Sequence, residues 1–253
     1  MHRFFIPGLR ADVTEAVLPE GEAHHAVRVL RIETGEPVVL LDGAGGELHG
    51  RILAAGRSAV RVGIERRIQH PPRPCELILL QAIAKGPAME GLLHRAVELG
   101  CARIIPLLSE RSVSRPDDPE AKRFRWQGIA HEAAKQSGNP WRMAVELPTT
   151  PAAWIQRNPA PELLLVASLV DTPARPRQIL EQFQRQHGRP PASLGILIGP
   201  EGDFSASEYQ SFQAAGARAI RLGPHVLRVE TAVTAALGVL QATLEDLLSE
   251  PTS

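Results

Sequence analysis

The sequence predicts an α/β protein of two domains, a small β-rich N-terminal domain followed by a larger domain built on a parallel sheet. Three observations predict it. Short β-prone runs broken by glycines fill 37–68. Three prolines then fall in four positions at 71–74, which forbids helix and favours an extended linker. Beyond them, near-continuous apolar strands alternate with helix-period segments, the pattern of a parallel sheet covered on both faces. The boundary falls at these prolines and gives domains of 1–72 and 73–253.

In the first domain, a helix over 21–32 turns Val27 and Leu30 inward and gathers His24, Arg28 and Arg31 at i, i+4 and i+7 on the other face. That face is either a phosphate-binding stripe or an ordinary solvated surface. The runs 37–41, 48–53 and 59–64, with the glycine-rich turn 42–46, read as hairpins of a small barrel. In the second domain, a strand at 75–83 leads to a helix over 88–99. Its face of Leu92, Leu93, Ala96, Val97 and Leu99 is closed by Gly100. Strands follow at 104–108, 163–169, 194–198 and 218–221, with helices at 120–136, 176–186, 206–215 and 230–248. The last helix carries Val233, Ala236, Leu237, Leu240, Leu244 and Leu247 at spacings of three and four. Segment 115–119 is a loop, 250–253 a frayed tail, and there is no internal repeat.

The bulk properties are those of an ordinary globular chain. Its 253 residues are 43% hydrophobic and 22% charged, enough to bury proper cores without disulfide staples. No uninterrupted apolar run reaches the roughly 18–20 residues of a membrane span, and the opening Met1-His2-Arg3-Phe4-Phe5-Ile6-Pro7 is too short for a signal peptide, so a cytoplasmic protein is expected. Cys75 and Cys101 form no C-x-x-C pair and read as reduced, buried thiols. No metal is expected, because His24-His25 lack further ligands. The formal charge of zero offers no support for a nucleic-acid partner, but it says nothing about clustering. Lysine occurs only at 85, 122 and 135; the predominance of arginine suits bidentate phosphate contacts, or simply reflects codon usage. Trp126, Trp141 and Trp154 read as core or subunit contacts rather than platforms for base stacking.

Two segments carry the chemistry. The strand 194–198 runs into Gly199-Pro200-Glu201-Gly202, after which Ser205-x-x-Glu208 makes a capping box. Glycines at both ends of this turn let backbone approach a flat ligand, and Pro200 stiffens it. Alone, such a turn is more readily read as a turn and nothing more. The second segment is Leu222-Gly223-Pro224-His225-Val226-Leu227-Arg228, between a short strand and the last helix. A loop this apolar is either a continuing strand or is wrapped against a ligand or other chain.

The run Gly-Pro-Glu-Gly-x-Phe-Ser-x-x-Glu at 199–208 and the run Leu-Gly-Pro-x-Val-Leu-Arg-x-Glu-Thr-Ala at 222–232 resemble the ribosomal RNA small subunit methyltransferase E family. That family belongs to the trefoil-knotted SPOUT methyltransferases. The segments 24–31, Lys85-Gly86, Glu98-Leu99-Gly100 and 132–137 resemble its other signatures in the same order. The resemblance implies an N-terminal PUA-like β-barrel that helps hold RNA, a C-terminal SPOUT-type α/β knot that binds S-adenosylmethionine, and a homodimer. It implies methylation of N3 of a uridine in 16S ribosomal RNA, preferably within the small ribosomal subunit. Carried over by position, the cofactor-binding residues are Ala167, Ser168, Leu169, Ile198, Gly199, Pro200, Glu201, Gly202, Leu222, Gly223, Pro224, Val226, Leu227 and Arg228. RNA contact is expected from Arg3, His24, Arg28, Arg31, Lys85 and Gln136. The chain departs from the family pattern at Asp203, where Gly is usual, at His225 for Arg and at Val229 for Thr. Lys85-Gly86 also lacks the Asp and Arg that often follow.

Uridine N3 holds a proton at neutral pH, so the methyl acceptor forms only if that proton leaves and the charge on O2 and O4 is stabilised. Arg228 is the expected oxyanion partner. Glu230 either orients Arg228 or takes the proton, or it simply caps the last helix. The competing readings are a ribose 2'-O-methyltransferase on the same scaffold and a non-catalytic RNA-binding or ribosome-assembly protein, the latter expected to have lost Gly199, Gly202 and Gly223. A dinucleotide-binding oxidoreductase fails because no G-x-G-x-x-G follows the strand at 75–83.

Overall fold

The computed structural model of the chain describes residues 1–10, 12–56, 59–112, 115–157, 160–168 and 174–249. Leu169 and the tail 250–253 lie outside the described residues. The chain divides into two compact units, one of Met1–Pro72 with His131–Arg142 and the other of Arg73–Ala130 with Met143–Ser253.

The first unit holds a five-stranded sheet. Its strands are β1 (His2–Phe5), β2 (Glu15–Val17), β3 (Pro37–Leu41), β4 (Gly46–Ala55) and β5 (Val60–Gln69), in the order β1-β3-β4-β5-β2. Only β1 and β3 run parallel; the other neighbours are antiparallel, as the glycine-rich hairpins require. Phe4, Val38, Leu40, Leu48, Ile52, Val60 and Val62 form its core with Ala23 and Ala26 of the intervening helix. Val27 and Leu30 pack against that core, as their spacing predicts. The helix itself differs from the regular one expected: α1 (Glu20–His24) continues as a π-helical stretch over His25–Leu30. Arg31 then leaves it in a left-handed conformation (φ 54°). Both the Arg31 and Ile32 amides donate to the Ala26 carbonyl, so the wider turn replaces the last α-turn. His24, Arg28 and Arg31 are all exposed, but only the first two share the helix face.

Residues 131–142 complete this unit. His131 stacks on Phe5 at 4.6 Å between ring centroids. The Arg3 Nη1 donates to the carbonyls of Lys135 and Gln136, each at 3.3 Å, filling acceptors that a helix end leaves open. Lys135 is buried, and its ammonium is paired with Glu22 at 3.0 Å and Glu132 at 2.6 Å, which is what makes a buried cation tolerable.

The second unit is a six-stranded, wholly parallel sheet. It comprises β6 (Glu76–Ala82), α2 (Ala88–Glu98), β7 (Arg103–Leu107), α3 (Pro119–Ser137, whose first half lies here), β8 (Ala144–Val145), α4 (Pro151–Arg157), β9 (Leu163–Ala167), α5 (Pro176–His187), β10 (Ser193–Ile198), α6 (Ala206–Ala214), β11 (Arg218–Ile220) and α7 (Val229–Ser249). The strand order is β11-β9-β10-β6-β7-β8, with every registered pair parallel. On one face Leu80, Leu164, Val166 and Leu197 meet Trp154, Phe204 and Phe212. Leu77, Leu79, Leu165 and Ile196, of the opposite parity, are equally buried. This two-sided burial explains why the strands read as continuous apolar runs. α2 ends as Gly100 predicts: Gly100 (φ 74°) donates to Val97 and Cys101 donates to Ala96. α7 packs on α2, α5 and β10. By length and composition alone it is apolar enough to cross a membrane, contrary to the expectation from the sequence. Its Val233, Ala236, Leu237, Leu240, Leu244 and Leu247 are buried, each contributing about 1.5–3 kcal/mol for the larger side chains, so its apolarity belongs to the core.

Cys75 and Cys101 are free and buried, as expected, and burial pushes their thiols up to about 12 and about 11. Trp126 and Trp154 are core residues. Four short elements had no sequence signal: β1, β2, β8 and α4.

Candidate active site

Three parallel strands end side by side at Ala167 (β9), Ile198 (β10) and Ile220 (β11). Chain order runs outward from β6 to β7 and β8 on one side, while β10, β9 and β11 extend the sheet on the other. Ligands of open parallel sheets bind outside the carboxyl ends of the strands. A cleft of about 820 Å³ lies over these ends, a size typical of small-molecule sites.

Its first wall is the exit of β9. The Ser168 amide donates to the Ile220 carbonyl at 3.1 Å, tying this exit to β11. Its second wall is the turn after β10. Gly199 and Pro200 are buried there, and the Asp203 amide closes the turn on the Pro200 carbonyl at 2.9 Å. A Cβ on Gly199 would lie 2.9 Å from Asp203 Oδ1 and 3.2 Å from both Asp203 Cα and Phe204 N, so close approach, not φ, demands glycine. The capping box forms as its spacing predicts: Glu208 N donates to Ser205 Oγ at 3.2 Å and Ser205 N to Glu208 Oε2 at 2.9 Å. Glu208 Oε1 also accepts from Glu110 N at 2.9 Å, which anchors the start of α6.

Asp203 adopts φ 60°, one of two non-glycine residues with positive φ among the described residues. Its Oδ1 accepts from Phe204 N and from the Tyr209 hydroxyl, both at 2.8 Å. The same hydroxyl lies 3.3 Å from the Ala167 carbonyl, so Tyr209 joins the β9 exit to the β10 turn. Burial and then the Asp203 carboxylate push the Tyr209 phenol up, which keeps it a donor.

The third wall is the loop from Leu222 to Arg228. Leu222, Gly223 and Leu227 are half-buried, while Val226 is 75% exposed. Arg221 Nε donates to the Gly223 carbonyl at 3.0 Å and shapes the start of the loop. Arg228 is exposed and forms no ion pair among the described residues, with Glu230 or any other carboxylate. Glu230 sits in the first turn of α7, where a carboxylate complements the helix dipole.

Of the residues picked out from the sequence, Ala167, Ser168, Ile198, Gly199, Pro200, Glu201, Leu222, Gly223, Pro224, Val226, Leu227, Arg228 and Glu230 line this cleft together. Gly202 does not; it is exposed, and its carbonyl accepts from Arg111 Nη1 at 2.9 Å. Sequence reasoning missed Asp203, Ile220, Arg221, Val229 and Ala232 as lining residues, while His225 lies within the loop it singled out. Continuity with the two loops was the available signal. Arg3, His24, Arg28, Arg31 and Gln136 belong to the first unit, and Lys85 to the second. Lys85 is exposed, and its amide donates to Glu201 Oε1 at 3.2 Å. Among the described residues no three His, Cys, Asp or Glu side chains cluster as metal ligands.

A family model described as an RNA methyltransferase domain matches residues 71–241, and one described as an RNA methyltransferase PUA domain matches 18–65. The ribosomal RNA small subunit methyltransferase E of Synechocystis sp. is 32% identical over 241 residues, covering 94% of this chain and 75% of that protein. The protein of that name from Mycobacterium tuberculosis is 30% identical over 239 residues, covering 94% and 90%. Among solved structures, a methyltransferase from Legionella pneumophila with bound S-adenosylmethionine superposes with a TM-score of 0.83 at 30% identity, covering 95% of this chain and 96% of that one. The Neisseria gonorrhoeae ribosomal RNA small subunit methyltransferase E, bound to S-adenosylmethionine, gives a TM-score of 0.83 at 27% identity over 96% and 97%. With its two-unit α/β architecture and a cleft over three parallel strand ends, this chain belongs to the ribosomal RNA small subunit methyltransferase E family.

Proposed function

We propose that this protein transfers a methyl group from S-adenosylmethionine to N3 of a uridine in 16S ribosomal RNA of the small ribosomal subunit. The observation that carries the proposal is the cleft in which the Gly199 turn and the Leu222 to Arg228 loop converge. Its residues fit this cofactor: a flat ring needs backbone at close approach, which the tightly closed turn at Gly199 and Pro200 brings to the cleft, together with apolar surface, which Leu222, Val226 and Leu227 supply. Leu169 completes the expected set by resemblance. When bound, S-adenosylmethionine supplies an electrophilic methyl group on a sulfonium, so the protein's task is to prepare and place the nucleophile.

Arg228 stands at the cleft with no carboxylate competing for its guanidinium among the described residues. It stabilises the charge that develops on uridine O2 and O4 as N3 loses its proton. Glu230, two residues on, accepts that proton in this scheme. Placement of N3 against the methyl group supplies the remaining acceleration. The first unit, PUA-like, holds RNA through Arg3, His24, Arg28, Arg31 and Gln136, with Lys85 contributing from the second. The second unit forms the knot of its family, and the protein works as a homodimer in the cytoplasm without a metal.

The test uses purified protein, methyl-labelled S-adenosylmethionine and unmethylated small ribosomal subunits. Label should enter 16S RNA at one uridine as N3-methyluridine. Label found in ribose as a 2'-O-methyl group would refute the choice of acceptor, and no label would refute the activity.

A further inference from the structure

We infer that Asp203 is the fixed counter-charge by which the cleft distinguishes the cationic methyl donor from its neutral product. This inference rests on the proposed binding of S-adenosylmethionine in that cleft.

Asp203 stands where the family resemblance leads one to expect glycine, and glycine is the natural occupant of its left-handed backbone (φ 60°). Aspartate is among the few other residues that visit this region, and here hydrogen bonds hold its side chain in place. Oδ1 receives two hydrogen bonds of 2.8 Å, from Phe204 N and the Tyr209 hydroxyl. No hydrogen bond engages Oδ2 among the described residues. Asp203 lines the cleft and is half-buried, whereas Glu201, Arg221, His225 and Arg228 in the same cleft are exposed. Glu230 is half-buried as well, on the first turn of α7. A charge held rigidly in a partly desolvated wall acts more strongly than one on a mobile, hydrated side chain.

The chemistry of the ligand pair supplies the target. Donor and product differ by one methyl group and one positive charge, because a sulfonium becomes a thioether when the methyl leaves. Apolar walls read the methyl poorly, since one methylene-sized group discriminates weakly. A fixed carboxylate reads the charge directly. Tyr209 is the positioning residue, because its hydroxyl fixes Oδ1 and keeps the left-handed turn in place.

Asparagine suits the left-handed region and keeps an acceptor for Tyr209 and Phe204 N, so Asp203→Asn removes the charge and little else. Calorimetric Kd values for S-adenosylmethionine, S-adenosylhomocysteine and sinefungin, an analogue with an amine in place of the sulfonium, would be measured for the unaltered protein, for D203N and for E110Q, which removes an exposed carboxylate outside the cleft lining. Loss of the charge should lower the preference for S-adenosylmethionine over S-adenosylhomocysteine about tenfold, the scale of one charge pair in a partly wetted site. The preference for sinefungin should fall with it, while E110Q should shift neither ratio more than about twofold. An unchanged ratio in D203N overturns the inference, as does an equal fall in E110Q, which would assign the effect to the general potential of the protein. If D203N does not melt cooperatively, D203G, which restores the glycine of the family pattern, is read in the same way. Failure of the unaltered protein to bind any of the three ligands would instead overturn the cofactor assignment itself.

Discussion

Gly199→Ala separates close packing from mere loop sequence. A methyl group at this position would sit 2.9 Å from Asp203 Oδ1 and 3.2 Å from Asp203 Cα and Phe204 N. The first of these contacts is not a mobile side-chain end, because Oδ1 is already bonded to Tyr209 and to Phe204 N at 2.8 Å. Either the turn shifts by several tenths of an ångström or the Asp203 bonds break. Overpacking of this kind costs about 1–3 kcal/mol. For a chain of this size, that corresponds to a fall in Tm of roughly 2–4 °C per kcal/mol. Because the shifted atoms form the cleft wall, the affinity for S-adenosylmethionine should also fall by about tenfold or more. Gly223→Ala is the matched control for the melts alone, since no protein atom lies within 4 Å of a Cβ there but the residue also lines the cleft. Thermal melts and calorimetric titration read both effects. A G199A protein with unaltered Tm and cofactor affinity would refute the claim that glycine is required at this wall by close approach.

Other consequences are open to measurement. Arg228→Ala should lower kcat, measured at saturating cofactor, by about 10²–10³-fold, the usual loss when one oxyanion donor is removed; methylation at the original rate would remove Arg228 from the chemistry. Arg28→Ala with Arg31→Ala should weaken RNA binding and reduce the salt slope by about 1.4–1.8, and an unaltered slope would take both out of the interface. Burial holds the His131 imidazole down to about 4 from its ordinary 6.5, so the unfolded chain binds the proton more readily between those values. Stability should therefore be full above about pH 6.5 and fall towards pH 4, while His131→Phe, which keeps a ring against Phe5, should flatten that limb in melts across pH.

The parts legible in the sequence were those set by local pattern. The apolar runs of β6 and β10, the faced helix α2 with its Gly100 closure, and the Ser205-x-x-Glu208 box all require only near neighbours, and each formed as read. Strands such as Glu15–Val17 and Ala144–Val145 are shorter than the repeat by which a strand is recognised, and they are held by pairing with distant chain. The π-helical stretch after His24 was invisible for a different reason: the same residue types suit either helix, and the choice rests on the Ala26 carbonyl taking both the Arg31 and Ile32 amides. In the site, the two loops announced themselves by glycine, proline and misplaced apolar residues. The Asp203 to Tyr209 bond did not, because it depends on how α6 returns across the end of β9. Gly202 shows the converse, a motif residue that faces Arg111 and not the cleft.

The central claim is that this cleft serves methylation of one uridine base in small-subunit RNA. Small-subunit ribosomal RNA from cells lacking the protein tests it most directly, mapped by primer extension and mass spectrometry beside RNA from cells carrying the unaltered protein or R228A. Loss of a single N3-methyluridine, seen as a lost reverse-transcriptase stop, restored by the unaltered protein and not by R228A, is the predicted result. An unchanged uridine modification profile would contradict it.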